Sequence, residues 1–411
     1  MNICPIADKC GGCTYQGVPY EQQLKEKEGT VRGLLSSAAF DPSLCLPIEP
    51  CPDVYRYRNK MDYTFGDEVK DGPLQLGMHK KKQFLSVVNA DLCQIVPEDF
   101  NRLLDATLQF CRDKGYIHYH RRRHEGLLRY LILRRGVRTN QLLVNIVTSP
   151  GDFAEDEYVN VILSTKTDHD ICGVLHTVDD SRSDAVNPTE IKVLHGSGHY
   201  EEVVMDLKFD VGPFSFFQTN VPAAERLYRD AIDLIEGIEG KTVYDLYCGT
   251  GTITQAMATK AGKVIGVEIV EEAVEAARRS AARNGLTNCE FLCGDVLKVL
   301  DEMPVLPDVI VVDPPRAGIH PKAMKKICSY GVSQIVYISC NPKTLVQNLV
   351  SAREEGYEPV FFKPYDNFPM TNHIETVCCL YHQKKDFISV PYEPKNADYR
   401  KKDKDNGQVW V

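Results

Sequence analysis

The chain has 411 residues, enough for roughly two or three domains that each bury a core. At 43% hydrophobic and 26% charged it has the composition of an ordinary folded protein, which excludes a disordered or fibrous chain. Its net charge of -9 argues mildly against a polyanionic partner. No stretch reaches the apolar length of a membrane span, and "MNICPIADKCGG" lacks the basic, apolar pattern of a secretory leader, so a cytoplasmic protein without a membrane partner is expected.

The first segment, "CPIADKCGGC", spaces Cys4, Cys10 and Cys13 as C-x5-C-x2-C. Fifteen cysteines, an odd number in a long chain, do not suit a secreted disulfide framework. Three thiols in a loop bent by Pro and paired Gly suit a metal better than packing. A fourth ligand is then required, and Cys93 in "VNADLCQIVPEDF", Cys45, Cys51 and Cys111 are the candidates that follow in the chain. Spacing does not separate zinc from an iron-sulfur cluster.

"EQQLKEKEGTVRGLL" reads as an amphipathic helix. Over residues 52–207 the texture is that of strands, as in "KMDYTF", "FLSVVNA", "RYLILRRG" and "QLLVNIVTS", with one helical stretch near "PEDFNRLLDATLQFCRDKG". That predicts an α+β domain. Seven arginines fall between Arg121 and Arg138, and Lys80, Lys81 and Lys82 form a second basic cluster. These runs fit a polyanion-binding surface and a solvated strand face equally well.

After "VGPFSFFQTN" short strands alternate with helices: "TVYDLYC", "KVIGVEI", "CEFLCGD", "DVIVVDPP" and "QIVYISC", separated by stretches such as "EEAVEAARRSAARNG". Repeated βα units imply an α/β domain with a parallel, doubly wound sheet, completed by the apolar segments around "PVFFKPYD" and "HIETVCCLYH". The predicted division is 1–51 for the cysteine loop and linking helix, 52–207 for the α+β domain, 208–386 for the α/β domain and 387–411 for a polar tail.

"VYDLYCGTGTIT" puts Gly249 and Gly251 where the first α/β strand turns into its helix, so that backbone can approach a ligand. The spacing is not that of a dinucleotide fingerprint, which favours a cofactor without a diphosphate. Glu268 ends the second strand and suits ribose hydroxyls; Asp295 ends the third, within reach of an adenine edge. Acids at strand ends after a glycine turn fit S-adenosylmethionine better than NAD. Asp313 ends the fourth strand before the stiff Pro314-Pro315 turn, and Cys340 follows the fifth, directly before Asn341-Pro342. Both open into the crevice beyond the carboxyl ends of the strands, where such sheets bind ligands.

Taken in order, "FFQTN", "DLYCGTGTIT", "VDPPRAG", "YISCNPKTL" and "HIETV" resemble the RNA uracil-5-methyltransferases, and the likeness runs from residue 4 to about residue 380. The resemblance implies a Rossmann-like S-adenosylmethionine-dependent methyltransferase domain, an α+β RNA-binding domain and an N-terminal iron-sulfur loop. It implies methylation of uridine C5 through a covalent adduct of Cys340 with C6, and removal of the C5 proton by Glu375. Gln218, Tyr247 and Glu268 match cofactor-contacting positions, and Asp313 matches an acid at the junction of cofactor and base. Arg316 would support the enolate or a phosphate, and Phe214, Phe216, Phe217 and Phe368 could line a pocket for an extruded base.

The chemistry explains the apparatus. C5 of uracil is a poor nucleophile until a thiolate adds to C6, so the reaction asks for a cysteine of lowered pKa and a positioned base. In the similar branch, Cys4, Cys10, Cys13 and Cys93 hold one 4Fe-4S cluster. Many relatives also carry an N-terminal RNA-binding β-barrel, whereas this chain starts at the cluster. The branch points to 23S ribosomal RNA, ahead of transfer RNA, with no obligate protein partner. A non-catalytic iron-sulfur RNA-binding protein is the rival of another class. An amino-group methyltransferase is a third, though that motif needs an aromatic residue where Arg316 stands.

Overall fold

The computed structural model describes residues 3–183, 185–303 and 305–383, so the predicted tail lies outside the described residues. Helix α1 (Tyr20–Ser37) comes first. Strands β1 (Lys60–Asp67), β2 (Leu74–Lys80) and β3 (Gln83–Asn89) lead to helix α2 (Glu98–Asp113). Strands β4 (Leu128–Gly136) and β5 (Gln141–Thr148), helix α3 (Glu155–Ser164), and strands β6 (Asp170–Val178) and β7 (Glu190–Gly196) follow. These seven strands form one sheet in the order β3-β2-β1-β4-β5-β6-β7. All neighbours run antiparallel except β5 and β6, whose parallel pairing is made possible by the crossover through α3. Helices α2 and α3 cover one face, burying Phe100, Leu104 and Tyr158 against Leu131, Leu133 and Val144.

A hairpin of β8 (Tyr200–Val204) and β9 (Leu207–Val211) comes next, then α4 (Val221–Asp233). The predicted boundary at 207/208 falls inside this hairpin. Tyr200, Val204, Phe209 and Val211 share a core with Val243, Val264 and Val309 of the second sheet.

That second sheet alternates strictly at first: β10 (Thr242–Leu246), α5 (Thr252–Ala258), β11 (Lys263–Glu268), α6 (Glu271–Arg283), β12 (Cys289–Cys293), α7 (Val296–Val299) and β13 (Val309–Val312). Then come α8 (Pro321–Ser329), β14 (Gln334–Ser339), α9 (Pro342–Glu354), β15 (Tyr357–Tyr365) and β16 (Glu375–His382). Its order is β12-β11-β10-β13-β14-β16-β15. The first five strands are parallel and covered on both faces, so β13 reads Val-Ile-Val-Val with every residue buried. The sheet is not parallel throughout, however: β16 inserts antiparallel between β14 and β15. Helix α1 packs here rather than on the first sheet, with Val31 and Leu35 in one core with Tyr337 and Leu349. Among the described residues no helix is long and apolar enough to cross a membrane.

Candidate active site

Strand order reverses between β10 and β13, and the crevice beyond that point collects the residues singled out in the sequence. The turn after β10 has three backbone positions in the left-handed region, Tyr247 (φ 69°), Gly249 (φ 55°) and Gly251 (φ 74°). Tyr247 holds this conformation with a side chain, a strain tolerated where the surroundings fix it, here by hydrogen bonds from Tyr247 N and Cys248 N to Val267 O at 2.9 and 3.0 Å. A Cβ on Gly251 would sit 2.6 Å from the Phe291 ring, whereas one on Gly249 would meet nothing within 4 Å. Gly251 therefore serves packing, and Gly249 fronts open space at the strand ends.

Glu268 turns its carboxylate on this loop, accepting from Gly249 N at 3.0 Å, Ile269 N at 2.9 Å and Val270 N at 3.0 Å. A carboxylate has about four acceptor sites, so capacity for a hydroxyl remains. Asp295 is exposed and caps α7, accepting from Leu297 N at 2.9 Å, and its charge lies within reach of Tyr247. Tyr247, Gly249, Glu268 and Asp295 thus line one edge, with hydroxyl-accepting acids and no cradle for a diphosphate. That set fits a nucleoside cofactor without a diphosphate.

The reactive cluster lies on the other side of the switch point. Strand β14 ends at Ser339 because Asn341 caps the next helix, its Oδ1 accepting from Lys343 N at 3.2 Å, and Pro342 begins that helix. The thiol of Cys340 is left at the strand's carboxyl end. Asn341 Nδ2 also donates to Arg316 O at 3.0 Å, which ties the loop after Pro314-Pro315 to the same point. The β14–β16 pairing runs to Ser339 opposite Thr376. Cys340 follows that last pair on one strand and Glu375 precedes it on the other, and the Glu375 charge acts on the Cys340 thiol. An antiparallel β16 is what delivers Glu375 to this edge.

Electrostatics bind the group together. Burial pushes Glu375 up to about 7, with the Arg316 guanidinium acting against it. Asp313 is held well above the usual carboxyl range, first by burial and then by the Glu375 and Asp245 charges. Burial and the neighbouring charges thus favour the protonated form of Asp313, while Glu375 is poised to accept a proton. The Cys340 thiol is pushed up to about 11 by burial and by the Glu375 and Asp313 carboxylates, with Arg316 opposing. This is the reverse of the lowered pKa expected for a nucleophile. Two carboxyl groups face the sulfur where the expectation assumed net positive surroundings.

Several residues here were not singled out in the sequence. Asp245 on β10 is fully buried, accepts from Thr254 Oγ1 at 2.5 Å and is pushed up to about 7 by burial. The "FFQTN" loop is held from the first sheet. Asn59 donates through Nδ2 to Gln218 O at 3.1 Å and through N to Thr219 O at 2.9 Å. The guanidinium of Arg134, 1% exposed, donates to Pro213 O at 2.9 Å and Ser215 O at 2.6 Å. The available signal was register, because Arg134 shares its strand face with the buried Ile132. Arg129 is buried too and donates to the carbonyls of Asp179, Ser181 and Ser183, while Arg138 pairs with Glu225 at 2.5 Å. Much of the arginine run is thus structural. Tyr228 is buried beside Asp313 and Glu375, with Gln218 as its hydrogen-bond partner. Among the four candidate pocket aromatics, Phe216 is 72% exposed at the loop's tip, Phe217 is buried against Phe209, and Phe214 and Phe368 are partly buried.

The four N-terminal candidates also converge. Cys4, Cys10 and Cys13 each bear on the Cys93 thiol, and burial pushes Cys13 up to about 11 and Cys93 up to about 12. Among the described residues, no three His, Cys, Asp or Glu side chains stand close enough to grip an ion as they are. Four thiols are a donor set that suits a thiophilic metal, and holding one requires the side chains to draw together. The same segment braces the approach to Glu375: Thr14 N and Tyr15 N donate to Met370 O at 2.8 and 3.0 Å. Behind it, Lys27 and Asp366 form a fully buried ion pair at 2.6 Å.

Comparison with known proteins agrees with this architecture. A family model described as a methyltransferase domain matches residues 238–396. A protein named Uncharacterized RNA methyltransferase from Clostridium tetani is 47% identical over 94% of this chain and 84% of its own length. One of the same description from Clostridium acetobutylicum is 44% identical over 92% of this chain and 83% of its own. The crystal structure of Pyrococcus abyssi tRNA (uracil-54, C5)-methyltransferase in complex with S-adenosyl-L-homocysteine is similar with a TM-score of 0.74 at 29% identity, covering 90% of this chain and 86% of that one. With an α/β methyltransferase fold and relatives matched along nearly its whole length, the chain belongs to the RNA methyltransferase family.

Proposed function

We propose that the protein methylates C5 of a uridine in RNA through a transient bond between Cys340 Sγ and C6 of the base. The observation that supports this reading is the pairing of β14 with β16, which brings together the strand ends that carry Cys340 and Glu375, near enough for the Glu375 charge to act on the thiol. When bound, S-adenosylmethionine supplies an electrophilic methyl group and a sulfonium charge. Tyr247, Gly249, Glu268 and Asp295, with Gln218, would hold and orient it.

Cys340 loses its proton and adds to C6, which places the ring's electrons on C5 and O4. Asp313, whose protonated form burial favours, can when protonated donate a hydrogen bond to the developing enolate oxygen, as Arg316 can from the rim. Once C5 carries the methyl group, Glu375 takes the C5 proton, the Sγ–C6 bond breaks and the thiolate leaves. Burial and two carboxyl groups push this thiol up to about 11 even with Arg316 opposing, so the added positive charge of the bound cofactor would favour the first step. The base must leave its stack to meet thiol and methyl on opposite faces, and the exposed ring of Phe216, two residues before Gln218, is a candidate to receive it.

RNA tritiated at uridine C5 tests the position of attack. Tritium should pass to water once for each methyl group gained. Methyl gain with the label retained would mean that another atom is the acceptor. Ribosomal and transfer RNA from a deletion strain serve as the two substrates. Our preferred target is 23S ribosomal RNA; the Pyrococcus abyssi likeness favours transfer RNA as the second reading.

For the thiol loop we propose a 4Fe-4S cluster on Cys4, Cys10, Cys13 and Cys93, with a structural or RNA-positioning role, since methyl transfer moves no electron. Protein purified without oxygen should carry iron and inorganic sulfide together, and Cys10→Ala should carry neither. Zinc without sulfide in the unaltered protein would rule the cluster out.

A further inference from the structure

The cysteine loop has a second neighbour that the chemistry above does not use. Gly11 N donates to His79 O at 3.0 Å, Lys81 N to Lys9 O at 2.7 Å and Lys81 Nζ to Ala7 O at 2.6 Å. The loop thereby braces the tip of the β2–β3 hairpin, where Lys82 takes a left-handed turn (φ 60°). Strand β3 is the edge of the first sheet, and its outer half carries Phe84 and Leu85, 62% and 56% exposed. Exposed apolar residues on an open edge are normally avoided, so a partner is indicated.

The chemistry of that partner can be read from the surroundings. The Phe84 ring stacks on His79, with centroids 4.8 Å apart and planes 17° from parallel, and the Arg121 guanidinium lies 5.2 Å from the Phe84 centroid. Lys81 and Lys82 at the hairpin tip, and Arg122 and Arg123 next to Arg121 in the chain, are exposed and add positive charge. Glu68 occupies Lys9 and Lys80, at 3.1 and 3.3 Å, and leaves those four cations unneutralised by it. An exposed aromatic stack beside cations matches unpaired nucleic acid, whose bases offer flat faces and whose phosphates offer charge.

We propose that this hairpin tip is the platform that holds single-stranded RNA flanking the target uridine, one base stacking on Phe84 and the basic side chains gripping phosphates. The inference rests on RNA being the substrate. It joins the platform to the candidate site through the loop between them. Gly11 binds the platform and Thr14 binds Met370, on the segment that leads into Glu375. Three residues of chain span at most about 11 Å, so this loop holds the base of the hairpin tip close to the segment that leads to Glu375.

A labelled oligouridylate and an RNA duplex of equal length, titrated by fluorescence anisotropy over a salt series without cofactor, test the platform. Phe84→Ala should weaken oligouridylate binding about tenfold, Phe84→Tyr should restore it, and the salt slope should stay put. Lys82→Ala and Arg122→Ala should each reduce that slope by about 0.7. Binding to the duplex should respond to the charge changes and not to Phe84→Ala. Oligouridylate binding that is unaltered in all the alanine variants would overturn the proposal and give the surface to a protein partner. Because affinity is read without methyl transfer, the result stands apart from which atom is methylated.

Discussion

Glu375→Gln should leave the first half of the reaction running and stop the second. The amide keeps the size and polarity of the carboxylate at a partly exposed position, so the fold is expected to hold. Cys340 can still add to the base and C5 can still receive the methyl group. The C5 proton then has no acceptor, and the Sγ–C6 bond cannot break by elimination. Turnover should fall by about 10²–10⁴-fold, the usual contribution of a positioned base. Unlike an ordinary loss of activity, this one should leave protein and natural RNA joined in a complex that survives denaturation. The unaltered enzyme should speed up as pH rises through about 7, because Glu375 accepts a proton only when ionised and its pKa is raised to that value. Glu375→Gln should lose that part of the profile. Normal turnover with no joined complex would remove Glu375 from the mechanism.

The motifs around the crevice were legible because chemistry and chain punctuation coincide there. Asn341 and Pro342 are a helix cap and a first-turn residue, and their presence fixes Cys340 at a strand end before any coordinates are known. Asp313 before Pro314-Pro315 reads the same way. Strand direction was less legible, because the apolar runs of β15 and β16 carry no sign of which way each runs. Their antiparallel insertion decides which residue faces Cys340. The raised thiol pKa could not be read locally either, since it depends on Asp313 and Glu375, brought in from two other strands. Arg134 and Asn59 were hidden for a similar reason: each acts on backbone carbonyls of a loop far along the chain, which leave no trace in side-chain patterns. The arginine run left two readings open because counting charges does not reveal burial, and Arg129 and Arg134 are buried in β4.

Cys340→Ala removes the bond on which every later step depends. Without addition at C6 the C5 carbon stays unreactive, and no neighbouring side chain can substitute, because Glu375 and Asp313 are weak nucleophiles held in their neutral or proton-accepting roles. Transfer should fall by at least about 10⁴-fold while RNA affinity, set elsewhere, stays near normal. The direct measurement uses RNA carrying 5-fluorouridine at the target, incubated with S-adenosylmethionine. Fluorine cannot leave as a proton, so the methylated adduct should persist, and mass spectrometry of the digested complex should place the nucleotide on the peptide containing Cys340. That outcome, with no complex from Cys340→Ala, is the one predicted here. Efficient methylation of ordinary uridine with no trapped complex from fluorinated RNA, or a complex that survives in Cys340→Ala, would contradict the covalent mechanism.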